Sequence, residues 1–175
     1  MLSHYRFTSA DKAVEYFDEG PSLRVLKSSS GTYALILSSA REDVIRVGRL
    51  GDLRLLNGFY VYIGSALGTG GVRARMVHHM RPTERPHWHI DYLRIHTKIE
   101  EIWFSYDRDA KEHAWASCFA GMPEASMPLE GFGSSDCDCE SHLFFSKKHP
   151  AWKEFDRRLW KTSLRSFGAQ AASRS

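Results

Sequence analysis

The chain has 175 residues with 42% hydrophobic and 26% charged residues, an ordinary globular composition that suffices for one domain with a real core. Its apolar stretches, such as residues 33–37, are too short to span a bilayer, and the first residues, MLSHYRFTSADKAVEYF, lack an apolar signal region behind a basic start; the expectation is a cytoplasmic protein with no membrane association. Three cysteines, Cys118, Cys137 and Cys139, are too few and too odd in number for a disulfide framework. The net charge of +3 is unevenly spread: residues 146–175 hold eight Lys or Arg against two carboxylates, a net +6, which leaves −3 for the rest. That segment is either a solvated tail or a contact for a phosphate backbone.

Residues 1–22 read as a loosely attached prefix with one short helix around 11–17. The turn signal Ser28-Ser29-Ser30-Gly31 precedes a short apolar run, 32–37, which reads as a buried strand. Two short runs, 44–47 and 53–55, flank Gly48 and Gly51 and suggest a hairpin. After the Asn57-Gly58 turn, 59–63 forms a second core strand, closed by Gly64-Ser65. The loop Gly68-Thr69-Gly70-Gly71 leads into a helix over 72–80, which Pro82 and Pro86 terminate. A short helix over 88–95, a third strand over 101–104 and a third helix over 110–119 follow. Glu112 falls in the first turn of that helix, where a carboxylate suits the helix dipole. Residues 141–145 read as a last strand. Residues 150–160 are amphipathic, with Trp152, Phe155, Leu159 and Trp160 on one face, and the final GAQAASRS reads as disordered.

No repeat, linker or second core interrupts this pattern. The expected fold class is one α/β domain with a small mixed sheet, about three core strands plus an inserted hairpin, flanked by helices. Its parts are an N-terminal extension over 1–22, the domain proper over 23–146, and a basic C-terminal helix with its tail over 147–175.

The polar residues fall in a distinctive order. Gly31-Thr32-Tyr33 opens the first strand and Tyr62-Ile63-Gly64 closes the second. A glycine-rich loop and a helix bearing Arg73, Arg75 and His79 come next, then the helix bearing Glu112. Arg75 and His79 are four apart and share one helical face. On these motifs the chain resembles the GIY-YIG nuclease superfamily. It is more similar still, through VGRLG, GFYVYIGSA, HWHIDYL and the run over 133–142, to a branch catalogued as a domain of unknown function and sometimes fused to endonuclease III-type repair proteins.

The resemblance spans roughly residues 31–145 and implies a metal-dependent endonuclease acting on nucleic acid, with DNA as the expected partner and Mg²⁺ or Mn²⁺ as cofactor. It implies that Glu112 holds the metal, Tyr33 activates water, Tyr62 orients water or phosphate, and Arg75 stabilises the pentacovalent phosphate. His79 would hydrogen-bond Tyr33 or the phosphate. One carboxylate suffices as protein ligand, because Mg²⁺ keeps several waters. A free phenol has a pKa near ~10, so Tyr33 can act as a base only where cationic charge favours its phenolate. Two departures stand out. Position 32 is Thr where the family pattern has Ile, and is expected to fill the strand. The inserted hairpin lengthens the connection between the two tyrosine motifs.

Other residues are open to more than one reading. Arg73 competes with Arg75 for the phosphate, faces solvent or contacts the nucleic-acid backbone; the spacing to His79 favours Arg75 for the phosphate role. Five of the nine histidines lie between His78 and His96, and His89 or Asp91 is a candidate for lining the cleft, Trp88 for packing. Lys147 and Lys148 begin the basic segment and are candidate backbone contacts. Cys137-Asp138-Cys139-Glu140-Ser141-His142 offers three zinc ligands where a tetrahedral site wants four; Cys118, His113 or a distant histidine would complete it. The alternative is a tight loop whose backbone, with Ser135, Asp136 and His142, shapes one wall of the site.

Overall fold

The computed structural model of the chain describes residues 2–6, 26–109 and 111–172. Its elements are β1 (Leu2–Arg6), β2 (Gly31–Ser39), β3 (Asp43–Val47), β4 (Gly51–Leu55), β5 (Gly58–Ala66), α1 (Gly71–Met80), α2 (His89–Arg94), β6 (Lys98–Tyr106), α3 (Glu112–Ala120), β7 (Leu143–Ser146) and α4 (Trp152–Ala172). Five strands form one sheet in the order β1-β6-β2-β5-β7, and β3 and β4 form a separate two-stranded sheet. The architecture is α/β.

The expectation of a mixed sheet is corrected: every pairing is antiparallel. The reason is the route of the chain. The β3–β4 hairpin turns β5 back along β2, so Gly31 faces Ala66. The chain then travels through α1 and α2 to the far end of the sheet, where Lys98 enters opposite Ser38, and β6 returns to place Tyr106 opposite Gly31. The start of β2 and the ends of β5 and β6 therefore share one end of the sheet, and the chain enters α1 and α3 from there.

Period-two alternation sorts the core into two layers. Tyr33, Leu35 and Leu37 of β2 and Tyr60 of β5 pack with Val72, Met76, Ile90 and Leu93 of α1 and α2, and with Ile45, Val47, Leu53 and Leu55 of the hairpin. Ala34, Ile36, Val61 and Ile63 face the other way, against Trp103 and against Trp115, Ala116, Phe119 and Phe155 of α3 and α4. β2 is buried on both faces, which is why it reads as a continuous apolar run.

Three further expectations change. The prefix supplies a sheet edge: Leu2–Arg6 pairs with β6, Leu2 facing Ser105. The helix expected over 11–17 lies outside the described residues. α4 runs on through residues 168–172, which were expected to be disordered. Within α4, Phe155 is fully buried while Trp160 is 67% exposed, so Trp160 leaves the apolar face shared by Trp152, Phe155 and Leu159. Among the described residues, no helix is long and apolar enough to cross a membrane.

Candidate active site

The sheet end shared by the β2 start and the β5 end carries the sequence-predicted residues. Tyr33, Tyr62, Arg75 and Glu112 line one cleft of about 520 Å³, together with Ser65, residues 87–89, His113, Gly133, Ser135, Asp136, Cys137 and His142. The two tyrosines come from adjacent strands, where Tyr33 lies opposite Gly64 and Tyr62 opposite Leu35. Their ring centroids are 6.4 Å apart.

Gly64 is required at this crossing. A Cβ there would stand 2.7 Å from the Tyr33 hydroxyl, so any side chain would displace the phenol that lies across it. The glycine of the Tyr-Ile-Gly motif thus makes room for the tyrosine of the other motif. Gly133, with φ +76°, plays a similar part on the opposite wall, where a Cβ would meet the Tyr62 ring at 2.9 Å. The Gly133 N–H donates to His89 Nδ1 at 3.0 Å, which places His89 in the cleft wall.

α1 contributes two side chains from one face, as its spacing predicts. His79 is buried, and its Nε2 lies 2.8 Å from the Tyr33 hydroxyl. Burial holds the His79 imidazole well below its ordinary pKa, reinforced by the charge of Arg94, His78 and Arg75. The ring is neutral, and its Nδ1 is buried with no hydrogen-bond partner. Burial pushes the Tyr33 phenol well above its ordinary value, Tyr62 adds to this, and Arg75 pulls the other way. Tyr62 is pushed up to about 12, again chiefly by burial, with Arg75 opposing. Arg75 itself stacks on Trp88, its Cζ 4.6 Å from the ring centroid.

Glu112 arrives from the opposite face of the sheet as the first residue of α3. Its carboxylate is 14% exposed; Oε1 lies 3.9 Å from His113 Nε2, and Oε2 is buried with no hydrogen-bond partner. A buried carboxylate oxygen left without a donor is costly unless a cation or water completes it. The donor set fits Mg²⁺ or Mn²⁺, hard cations that take one or two carboxylates and keep water for the rest.

Thr32 corrects an expectation. Its hydroxyl does more than fill the strand: Oγ1 accepts the Lys111 N–H at 3.0 Å. This bond ties the strand of Tyr33 to the residue preceding Glu112, across a separation of 79 positions. No local sequence signal marks it; a hydroxyl inside a buried apolar strand was the available clue.

The remaining candidates divide. Ser135, Asp136 and His142 lie in the cleft wall. Asp91 does not: its buried carboxylate accepts the N–H groups of His87 and Trp88 at 3.1 and 3.0 Å and pairs with Arg94, holding the entry to α2. Arg73 sits outside the cleft lining with its Nε buried and unpartnered. Lys147 and Lys148 lie beyond β7, also outside the lining; Lys147 Nζ donates to the Asn57 carbonyl at 3.0 Å and Lys148 Nζ to Glu124 at 2.6 Å. Trp88, His87, Ser65 and His113 are cleft residues to which the sequence reading gave other roles or none.

No curated protein and no solved structure matches the chain. A family model, described as domain of unknown function DUF123, matches residues 32–164, from the Thr32 strand into α4, and so covers the whole cleft. On that match the chain belongs to the DUF123 family.

Proposed function

We propose that this chain is a metal-dependent endonuclease of the GIY-YIG type, hydrolysing phosphodiester bonds in DNA. The observation that carries the reading is the shared cleft, which gathers two phenols, a guanidinium and an orphaned carboxylate at one end of the sheet. A phosphodiester repels nucleophiles through its own charge, so hydrolysis needs an activated water and positive charge on the phosphoryl oxygens. Arg75, stiffened by Trp88, is the residue for the phosphate. Glu112 would hold Mg²⁺ or Mn²⁺, which when bound supplies Lewis-acid charge to the phosphoryl oxygens and favours ionisation of nearby phenols and water.

Burial keeps Tyr33 protonated, so a resting phenolate is not the base in this reading. The charge of Arg75 and of a cation held by Glu112 would instead have to offset that burial before Tyr33 yields its proton and takes one from water, its resting hydroxyl donating a hydrogen bond to His79 Nε2. The tautomer that allows this carries its hydrogen on Nδ1, which leaves Nε2 as the acceptor. Tyr62 bounds the water position from the neighbouring strand.

Purified protein is expected to nick plasmid DNA in Mg²⁺ or Mn²⁺, and Glu112→Ala to abolish nicking with the fold intact. Undiminished cutting by that variant removes Glu112 from the mechanism. The high phenol pKa also suits a second reading, a nucleic-acid-binding module without turnover; a salt-dependent gel shift with no nicking of any DNA or RNA substrate would favour it.

A further inference from the structure

A second group of chemistry-bearing side chains, three of them in the cleft wall, takes no part in the reaction proposed above. His113, Cys137, Cys139 and His142 each direct one ligand atom into a common space, all four atoms within 4.8 Å of one another. His113 Nδ1 is 3.1 Å from Cys139 Sγ, and Cys137 Sγ is 3.6 Å from His142 Nε2. We propose that these four residues form a closed, tetrahedral zinc site that fixes the wall of the cleft.

The distances suit the ion. Zn–S bonds of about 2.3 Å and Zn–N bonds of about 2.0 Å give ligand-to-ligand edges of roughly 3.5 Å around a tetrahedron. Two soft thiolates with two imidazoles select Zn²⁺ over Mg²⁺ or Ca²⁺, and four protein ligands leave no open position for substrate. The sequence supplies three ligands in Cys-x-Cys-x-x-His; the fourth is His113, from the first turn of α3, rather than Cys118, which packs in the core layer beneath α3 and α4.

The surrounding backbone gives the site a purpose. Residues 121–142 link α3 to β7 with no helix or strand of their own beyond one bridge at Ser126. So long a connection inside a compact domain calls for another source of order. Part of it is already fixed: the His142 N–H donates to Phe132 at 2.8 Å, its carbonyl accepts from Ile63 at 2.9 Å, and the Cys137 N–H donates to Ser134 at 3.3 Å. A zinc ion would clip this segment to α3 at His113, whose other ring nitrogen faces Glu112. Binding releases the two thiol protons, so affinity should fall in acid.

The test uses the full chain purified without chelators or an affinity tag that binds metal. Elemental analysis should find about one zinc per chain. Replacement by Co²⁺ should give the intense visible bands of a tetrahedral ion with thiolate charge transfer. In the zinc form Cys137 and Cys139 should resist a thiol reagent and react after chelation. Cys139→Ser and His113→Ala should each lose the charge-transfer intensity or the bound metal. Wild-type protein with only traces of zinc and a weak octahedral cobalt spectrum would overturn the proposal, whether or not the variants fold. Every readout is made without nucleic acid, so failure here leaves the nuclease reading standing, and the reverse also holds.

Discussion

Glu112→Gln separates the cost of the candidate metal ligand from its use. The substitution keeps the shape of the side chain and removes its charge. In the protein Oε2 is buried with no partner, and the carboxylate is 14% exposed. An unsatisfied buried polar group costs about 1–3 kcal/mol, and more when charged. Losing a carboxylate from the first turn of α3 gives back about 0.3–1 kcal/mol of dipole stabilisation. Gln leaves a neutral amide in the same buried place, so only the added cost of the charge is recovered; the metal-free variant should be more stable than wild type by at most about 1 kcal/mol, which for a chain of this size raises Tm by up to about 2–4 °C. Mg²⁺ should reverse the order. At a hundredfold excess over Kd it would add about 2.7 kcal/mol to wild type alone. Chemical denaturation and differential scanning fluorimetry, with EDTA and then across a Mg²⁺ titration, read both effects. Equal Mg²⁺ stabilisation of the two proteins, or a variant less stable than wild type in EDTA, would refute the reasoning, because Glu112 would then be satisfied without a metal.

Thr32→Val deletes the acceptor of the Lys111 N–H; it should cost about 1 kcal/mol and lower kcat of any cleavage more than it raises KM, since α3 loses its tie to the strand of Tyr33. Trp88→Ala should loosen Arg75 by about 0.5–1 kcal/mol, seen as weaker, less salt-sensitive binding of a DNA duplex in fluorescence anisotropy. His79 is held neutral in the folded protein and protonates readily only when the chain unfolds. Its contribution is fully present above the unfolded value near ~6.5 and is lost as pH falls below it, at up to about 1.4 kcal/mol per pH unit. Urea unfolding from pH 7 downwards should show this slope, and His79→Gln should flatten it.

The parts of this fold that sequence reveals are those whose cause is local. β2 and β5 are apolar runs between turn signals, and α1 has a glycine loop before it and prolines after it. The order of Tyr33, Tyr62, Arg75 and Glu112 was legible, and the cleft brings those four together. What was hidden depends on partners far along the chain. Leu2–Arg6 is an edge strand held by β6, about a hundred positions later, and by Leu2 packing on the layer of Trp103 and Phe155. Thr32 looked like strand filling because its acceptor role is set by Lys111. His113 was one of several candidates to join Cys137, Cys139 and His142, and spacing could not choose among them, because α3 and an irregular segment bring the four together. At the C-terminus, glycine and polar residues suggested disorder, whereas the alanines and long side chains around them are good helix formers.

The β3–β4 hairpin has one buried side, and what covers it includes α2. Ile45, Val47, Leu53 and Leu55 share a layer with Ile90 and Leu93, and a Cβ at Gly48 would press on the Tyr92 hydroxyl at 3.2 Å. α2 starts directly after Trp88, the residue on which Arg75 rests. The insertion is therefore a buttress: pruning it would strip the apolar backing from α2 and set adrift the indole beneath the guanidinium, though no hairpin residue reaches the cleft itself.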